Sequence, residues 1–168
     1  MKILFLQNIN NISGSELLLA QMMPLLKEQG VEVEMLVIHH TTAAKDKHQW
    51  FIDNLRKDGI VVYGLYGHHP ASPALQWKIH KILQKGKYDL AHCNLPHADF
   101  WMAIQKLFFW HKLKLVSVKH GFDELLLAKH PGELHKLSNS FFAWAQRLTG
   151  IFVRKNVAIS RFIYDLYI

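Results

Sequence analysis

Short apolar runs alternate with amphipathic segments along nearly the whole chain, and this alternation constrains the fold more than any other feature. Strand-like runs cover residues 2–7, 31–38, 60–63, 88–92, 113–118 and 156–159. Helix-like segments cover residues 13–29, 45–57, 73–84, 98–110 and 139–148, and Ser160 is placed to cap a final helix. Repeated β–α units of this kind predict an α/β fold built on a doubly wound, mostly parallel sheet. In such sheets ligands bind beyond the carboxyl ends of the strands, so the loops at 8–15, 39–42, 92–97 and 119–124 are the candidate site.

Composition and charge narrow the class of protein. A chain of 168 residues, half of them hydrophobic, suits a single domain with a real core. The lone cysteine, Cys93, leaves no disulfide within the chain, and no signal peptide or membrane-spanning run is present, so we expect a cytoplasmic protein. The net charge of +7 favours polyanions or anionic lipid. No nucleic-acid-binding motif accompanies it, so we expect no nucleic-acid partner.

The first loop holds the clearest local signal. Ser13 and Glu16 have the spacing of a capping box at the start of a helix, and Gly14 would let a group approach the backbone closely. Free N–H groups at that helix end also suit a phosphate. The pattern is compatible with a well-capped helix or with an anion site. The dinucleotide fingerprint G-x-G-x-x-G is absent, so we expect neither NAD nor FAD.

Two later loops carry histidines. His120 follows an apolar strand directly, where it could meet a sugar hydroxyl or carry a proton, or could be satisfied by backbone groups. The stretch 92–97 contains Asn94 and His97, and a turn is its simpler interpretation. None of the histidines has metal-ligand spacing, so we expect no metal and no cofactor.

Aromatic and basic residues cluster in the second half of the chain. They are Phe100, Trp101, Phe108, Phe109, Trp110, His111, Lys112, Phe141, Phe142, Trp144 and Arg147. Most of these rings suit core or interdomain packing. The alternative is a membrane-surface patch, for which Trp101, Phe109 and Trp110 are the rings we expect to be exposed.

The order of these motifs resembles the N-terminal domain of glycosyltransferase family 4, the retaining enzymes of GT-B fold. The similar stretches are Lys2-Ile3-Leu4-Phe5-Leu6, Ser13-Gly14-Ser15-Glu16, the helix end and strand at 26–33, and the strand ends at 88–94, 115–121 and 157–160. Three positions depart from the family pattern: Ser13 replaces the first loop glycine, Val31 a histidine, and Asn94 a second histidine.

The resemblance implies that residues 1–168 are the acceptor-side, Rossmann-like half of a GT-B enzyme, and that the C-terminal nucleotide-sugar domain lies outside this chain. It implies transfer of a sugar from a nucleotide sugar to a hydroxyl acceptor, and the acceptor it implies is a cell-surface glycan or a lipid-linked precursor. His120 would be the catalytic contact to the transferred sugar. Gly14, Ser15, Asn94 and His97 would bind substrate. The alternatives are a non-catalytic glycan- or membrane-binding module, and half of a sugar-nucleotide epimerase of the same fold. Peripheral contact with an anionic membrane, at its inner face, accompanies the main interpretation.

Overall fold

A computed structural model describes residues 1–9, 14–39, 44–67, 69, 71–109, 112–119 and 149–161 of the chain. The strands are β1 (Lys2–Asn8), β2 (Glu32–His39), β3 (Val61–Tyr66), β4 (Leu90–Asn94), β5 (Lys114–Lys119) and β6 (Lys155–Ala158). The helices are α1 (Gly14–Glu28), α2 (Ala44–Lys57), α3 (Pro73–Gly86) and α4 (Pro96–Phe109). The helix expected at 139–148 and most of the final helix lie outside the described residues.

The strands form one parallel sheet in the order β3-β2-β1-β4-β5-β6. The first strand is central because its residues are buried on both faces. Leu4 and Leu6 pack with α3 and α4 on one side, whereas Ile3 and Phe5 pack with α1 and α2 on the other. The predicted doubly wound α/β fold is therefore confirmed.

The strand order reverses between β1 and β4, which lie side by side. This is the switch point where a doubly wound sheet opens a crevice for ligands. β4 lies between β1 and β5, because the chain crosses to the other side of β1 after β3.

Several element boundaries differ from the sequence prediction, and two of the differences have a clear physical cause. β4 begins at Leu90, since the preceding Tyr88 packs into the core and Asp89 accepts a hydrogen bond from the backbone N–H of Lys2 at 2.7 Å. α3 includes Gly86, and Lys87 takes the left-handed conformation that ends it. Gly86 lies inside the helix and has no room for a side chain, because an added Cβ would lie 2.1 Å from the ring of Tyr88.

The aromatic residues divide between core and surface. Phe100 and Trp101 are buried, which confirms the packing interpretation for them and makes the expected exposure of Trp101 wrong. Trp101 points inward because α4 lays this face on the sheet, among Leu4, Leu6 and Leu115. Phe108, at the end of the same helix, is 68% exposed. Trp110 and the rings at 141–144 lie outside the described residues.

Glu34 gathers polar side chains at the amino edge of the sheet. Its carboxylate accepts hydrogen bonds from Tyr88 and from Tyr63, the latter at 3.0 Å, and pairs with the Lys2 amine at 2.6 Å. Burial alone would raise the pKa of Glu34. The hydrogen bonds and the Lys2 charge outweigh burial, and the pKa is lowered. The cluster joins the beginnings of the first two strands to β3 and to the segment before β4.

The described helices give no candidate for a membrane span, since none combines the necessary length with sufficient apolar character.

Candidate functional site

A buried polar network lies where β1 and β4 end. Gln7 stands opposite Asn94 in the strand register. Its side-chain oxygen accepts a hydrogen bond from the Asn94 amide at 3.2 Å, and its own amide donates to Ser15 Oγ at 2.9 Å and to the carboxylate of Glu16. Ser15 Oγ in turn donates to Glu16 at 3.0 Å. Gln7 thus connects Ser15 and Asn94, two residues that the sequence had suggested separately.

Gln7 itself was missed at the sequence level. Its polar side chain ends a run of buried apolar residues and is fully buried. A buried amide requires hydrogen-bond partners, and here they come from the next helix and from a strand that is distant in sequence. A polar residue that closes an otherwise apolar central strand was the signal that could have found it.

Gly14 begins α1 beside this network. The residue is exposed, and no described residue would lie within 4 Å of a Cβ built on it. As far as the described residues go, the first turn of α1 has room for a ligand at its N-terminal end, where backbone N–H groups and the helix dipole favour negative charge. Ser13, its expected capping partner, lies outside the described residues.

Glu16 weakens that electrostatic attraction. Its side chain lies in the first turn of α1 and is buried, with Gln7 and Ser15 as hydrogen-bond donors. A carboxylate at this position already compensates part of the positive end of the helix dipole. A phosphate approaching Gly14 would gain backbone N–H contacts, but it would also meet this negative charge.

His97 is the second residue of α4 and is partly exposed. Its ring centroid lies 6.2 Å from that of the buried Trp101. The turn that leads to it contains Leu95, whose φ of 75° lies in the left-handed region that leucine rarely adopts. Strained backbone of this kind is concentrated at functional sites, and it brings α4 directly after Asn94.

Asp99 and Lys119 form a buried ion pair at the end of β5. The Lys119 amine donates to Asp99 Oδ2, and Ser117 Oγ donates to the same oxygen at 2.7 Å. Side-chain exposure is 8% for Lys119 and zero for Asp99. Burial raises the pKa of Asp99, against the opposing effects of the Lys119 charge and the two hydrogen bonds.

Lys119 is the last residue of β5, whereas the sequence pattern predicts it in the loop at 119–124. Its long side chain is buried because a carboxylate from α4 is there to pair with it. Asp99 is the only acidic residue between positions 90 and 122, which was the available signal. The pair anchors the strand end that immediately precedes His120 in sequence. His120 itself lies outside the described residues, so its role stays a prediction.

Cys93 has little capacity for nucleophilic chemistry. It is fully buried in β4, and burial raises the pKa of its thiol well above the ordinary value, with the Asp99 charge adding to the effect. A thiol in this setting stays protonated at neutral pH. In the part of the chain that the structure describes, no three His, Cys, Asp or Glu side chains come close enough to hold a metal ion.

Comparison with solved structures identifies the fold. Alr3699/HepE from Anabaena, solved with UDP and glucose, is 23% identical with a TM-score of 0.60, over 96% of this chain and 38% of that one. A glycosyltransferase from Rickettsia africae is 19% identical with a TM-score of 0.60, over 98% and 38%. A UDP-N-acetylglucosamine 2-epimerase is 12% identical with a TM-score of 0.62, over 98% and 43%. The chain thus spans about two fifths of the length of these proteins.

Sequence comparison identifies the family. No curated protein matches the chain. The sequence profile of Glycosyltransferase Family 4 matches residues 12–168, which is nearly the entire chain and includes α1 and all strands after the first. The chain belongs to glycosyltransferase family 4.

Proposed function

We propose that this chain is the N-terminal, acceptor-side half of a retaining glycosyltransferase that moves a sugar from a nucleotide sugar to a hydroxyl acceptor. The observation that carries the proposal is the arrangement at the switch point of the sheet. Ser15 and Asn94 are held together through Gln7, beside the N-terminal end of α1 at the exposed Gly14. A crevice at this edge is where doubly wound sheets bind their ligands.

Buried and exposed groups have different roles in this proposal. Ser15 and Asn94 are almost fully buried and hydrogen-bonded to Gln7, so they shape the crevice and keep the start of α1 in place. Direct contacts to substrate then come from the backbone N–H groups at Gly14 and Ser15 and from the partly exposed His97. His120, which follows the anchored end of β5, contacts the transferred sugar.

The donor is a nucleotide sugar, and its main pocket lies in a C-terminal domain outside this chain. Support comes from Alr3699/HepE, which was solved with UDP and glucose. This chain covers 38% of the length of that protein. Because Glu16 opposes an anion at α1, this half alone holds the donor phosphates weakly. Catalysis by orientation requires both halves to face one another across the substrates.

The acceptor is a cell-surface glycan or a lipid-linked precursor, handled in the cytoplasm at the inner face of an anionic membrane. The net charge of +7 supports this part of the proposal. A basic protein is drawn to anionic lipid, and a peripheral enzyme needs no spanning helix to reach a lipid-linked acceptor.

Epimerisation of a sugar nucleotide is the second candidate. The epimerase structure matches this chain as well as the transferases do, with a TM-score of 0.62 against 0.60. The fold of this half therefore does not separate the two reactions. A product assay separates them, since an epimerase changes the sugar nucleotide without an acceptor, whereas a transferase releases the nucleoside diphosphate and glycosylates the acceptor.

The test uses the enzyme with both halves, assayed with UDP-sugars and a membrane-lipid extract as acceptor. We expect His120→Ala to lower turnover by about 10²-fold or more with little change in melting temperature, because it removes a contact to the reacting sugar. His69→Ala, an exposed histidine in the loop before α3, is the matched control and should leave turnover unchanged.

Three results would count against the proposal. A large loss of melting temperature in His120→Ala with a proportionate loss of activity would make His120 a structural residue. Conversion of the sugar nucleotide without any acceptor would favour the epimerase. Turnover by the isolated 168-residue chain, above that of its His120→Ala variant, would contradict the assignment as one half of an enzyme.

A further inference from the structure

An exposed aromatic cluster connects α3 and α4 on one side of the sheet. Trp77 is 52% exposed and Phe108 is 68% exposed. The His80 ring stacks on Phe109 with centroids 4.3 Å apart, and Trp77 lies 5.3 Å from His80 and 6.3 Å from Phe109. We call these three contacting rings, together with Phe108, which precedes Phe109 on α4, and with Lys81 and Lys112, the Trp77 surface. Large exposed rings grouped on neighbouring helices are typical of a contact site.

Lysines surround these rings. The Lys81 amine lies 4.8 Å from the centre of the Trp77 ring. A surface groove of about 380 Å³ continues from Phe109 and His80 to Lys87 and Lys112. The sequence from residue 59 to residue 88 contains no acidic residue, and residues 71–119 contain eight lysines against two acids.

Both of those acids are engaged elsewhere. Asp99 is buried in its pair with Lys119, and Asp89 accepts from the backbone of Lys2. Most of the chain's excess positive charge lies in residues 71–119, the part of the chain that forms α3, β4, α4 and β5. The Trp77 surface combines this charge with apolar rings.

We propose that the Trp77 surface docks the protein on a membrane that contains anionic phospholipid, with Trp77 and Phe108 entering the headgroup region. The lysines would contact lipid phosphates, and Lys81 and Lys112 flank the rings on α3 and after α4. Aromatic rings with lysine neighbours have the composition of peripheral membrane-binding faces. The inference deepens the membrane contact of the proposed function, but it does not depend on sugar transfer.

The positive charge of the Trp77 surface favours an anionic membrane over a second copy of this chain as its partner. A symmetric dimer through the Trp77 surface would bring the same lysines together from both copies, and like charges in contact are costly. An anionic bilayer instead neutralises them. The groove includes Tyr88 and Leu113, which precede β4 and β5, so it lies toward the amino edge of the sheet. Docking there leaves the carboxyl edge, with Ser15 and Asn94, open to substrates.

The test measures partitioning of the protein between buffer and vesicles, made either of phosphatidylcholine alone or of phosphatidylcholine mixed with phosphatidylglycerol. Each basic residue near an anionic surface adds about a fivefold preference, so the Lys81→Glu/Lys112→Glu variant should bind the mixed vesicles about 30-fold or more weakly. The matched control is Lys57→Glu/Lys155→Glu, which changes net charge equally at exposed positions on α2 and β6. It should lose far less.

Insertion of Trp77 into the bilayer is measured by tryptophan fluorescence. Tryptophan emission should shift to shorter wavelength on the mixed vesicles, and Trp77→Phe should remove most of that shift while it keeps the fold. Phe108→Ala should weaken binding without any change in net charge. Raised salt should release the protein, since screening shortens the reach of surface charges.

Several outcomes would overturn the inference. Equal losses in the two charge variants would mean that net charge, and not this surface, directs binding. An unchanged emission spectrum with intact vesicle binding would place the contact elsewhere. Concentration-dependent dimerisation abolished by Phe108→Ala would assign the surface to a second copy, and preferential binding of single-stranded RNA would assign it to nucleic acid. Transfer to a water-soluble acceptor should be unchanged in all these variants, and its absence in the parent enzyme would count against the proposed function alone.

Discussion

The buried pair between Asp99 and Lys119 provides the sharpest test of how the site edge is held together. We consider Asp99→Asn, which keeps the size of the side chain and removes its charge. Neither partner is exposed enough for water to replace the lost interaction, at zero and 8% side-chain exposure. Removal of one member of a buried pair typically costs about 3–5 kcal/mol, because the other charge stays buried without compensation. An exposed pair would cost less than about 1 kcal/mol.

The variant that keeps the buried carboxyl should respond to pH. In Lys119→Met the remaining Asp99 can take up a proton, and burial already raises its pKa. A carboxyl group whose folded pKa is above its unfolded value binds protons more readily in the folded state, so stability falls as pH rises from about 4 toward that folded pKa.

The assay is urea unfolding of the chain, followed by circular dichroism. With a slope of about 2 kcal/mol per molar urea, a loss of 3–5 kcal/mol lowers the midpoint by about 2 M. The double variant Asp99→Asn/Lys119→Met buries no charge and should recover most of the loss, which gives a coupling energy of several kcal/mol. A loss below about 1 kcal/mol in Asp99→Asn, with additive effects in the double variant, would refute the reasoning.

Three further predictions concern packing, pH linkage and the proposed division of the enzyme into two halves. Gly86→Ala should lose about 1–3 kcal/mol, because the new methyl group would overlap the Tyr88 ring, whereas Gly64→Ala, with no described residue within 4 Å of the added Cβ, should change the unfolding midpoint little. The pKa of Glu34 is lowered in the folded state, so the stability that Glu34 contributes is present above its unfolded pKa of about 4.5 and is lost as pH falls through the folded value. Melting curves of Glu34→Gln should lack this acid dependence. Identical acid profiles of the parent chain and the variant would refute the prediction. UDP should bind the 168-residue chain no more tightly than about 1 mM by calorimetry, and micromolar binding would mean that the donor pocket lies in this half.

The order of strands and helices could be predicted because each β–α unit carries its own local pattern. β1 is an apolar run, and α3 begins with Pro73 after the capping residue Ser72. Such signals involve residues that are close in sequence. The length of β3 was underestimated, because partly exposed positions after Tyr63 weaken the pattern of an edge strand.

The side-chain connections of the site could not be predicted in the same way. Gln7 and Asn94 are 87 residues apart, and Asp99 and Lys119 are 20 apart. No local pattern reports which strand ends will be neighbours, since that depends on the order of the whole sheet. The family resemblance implies that Asn94 and Ser15 contact substrate. The structure adds that both side chains form hydrogen bonds with Gln7. The roles of Gly14, Ser15, Asn94, His97 and His120 toward substrate stay predictions.

The cluster of Glu34, Lys2, Tyr63 and Tyr88 affects the register in which β2 pairs with its neighbouring strands during folding. β2 contains the run Met35-Leu36-Val37-Ile38, which is buried on both faces and pairs with similarly apolar strands on each side. Such runs can slide past one another at small cost in apolar contact, so hydrophobicity alone defines their register poorly. A slip of one residue would turn the Glu34 carboxylate to the opposite face, away from Lys2, Tyr63 and Tyr88. Partners from three other segments therefore make the native register distinct from its neighbours, even though the exposed part of the cluster adds little to the free energy of folding.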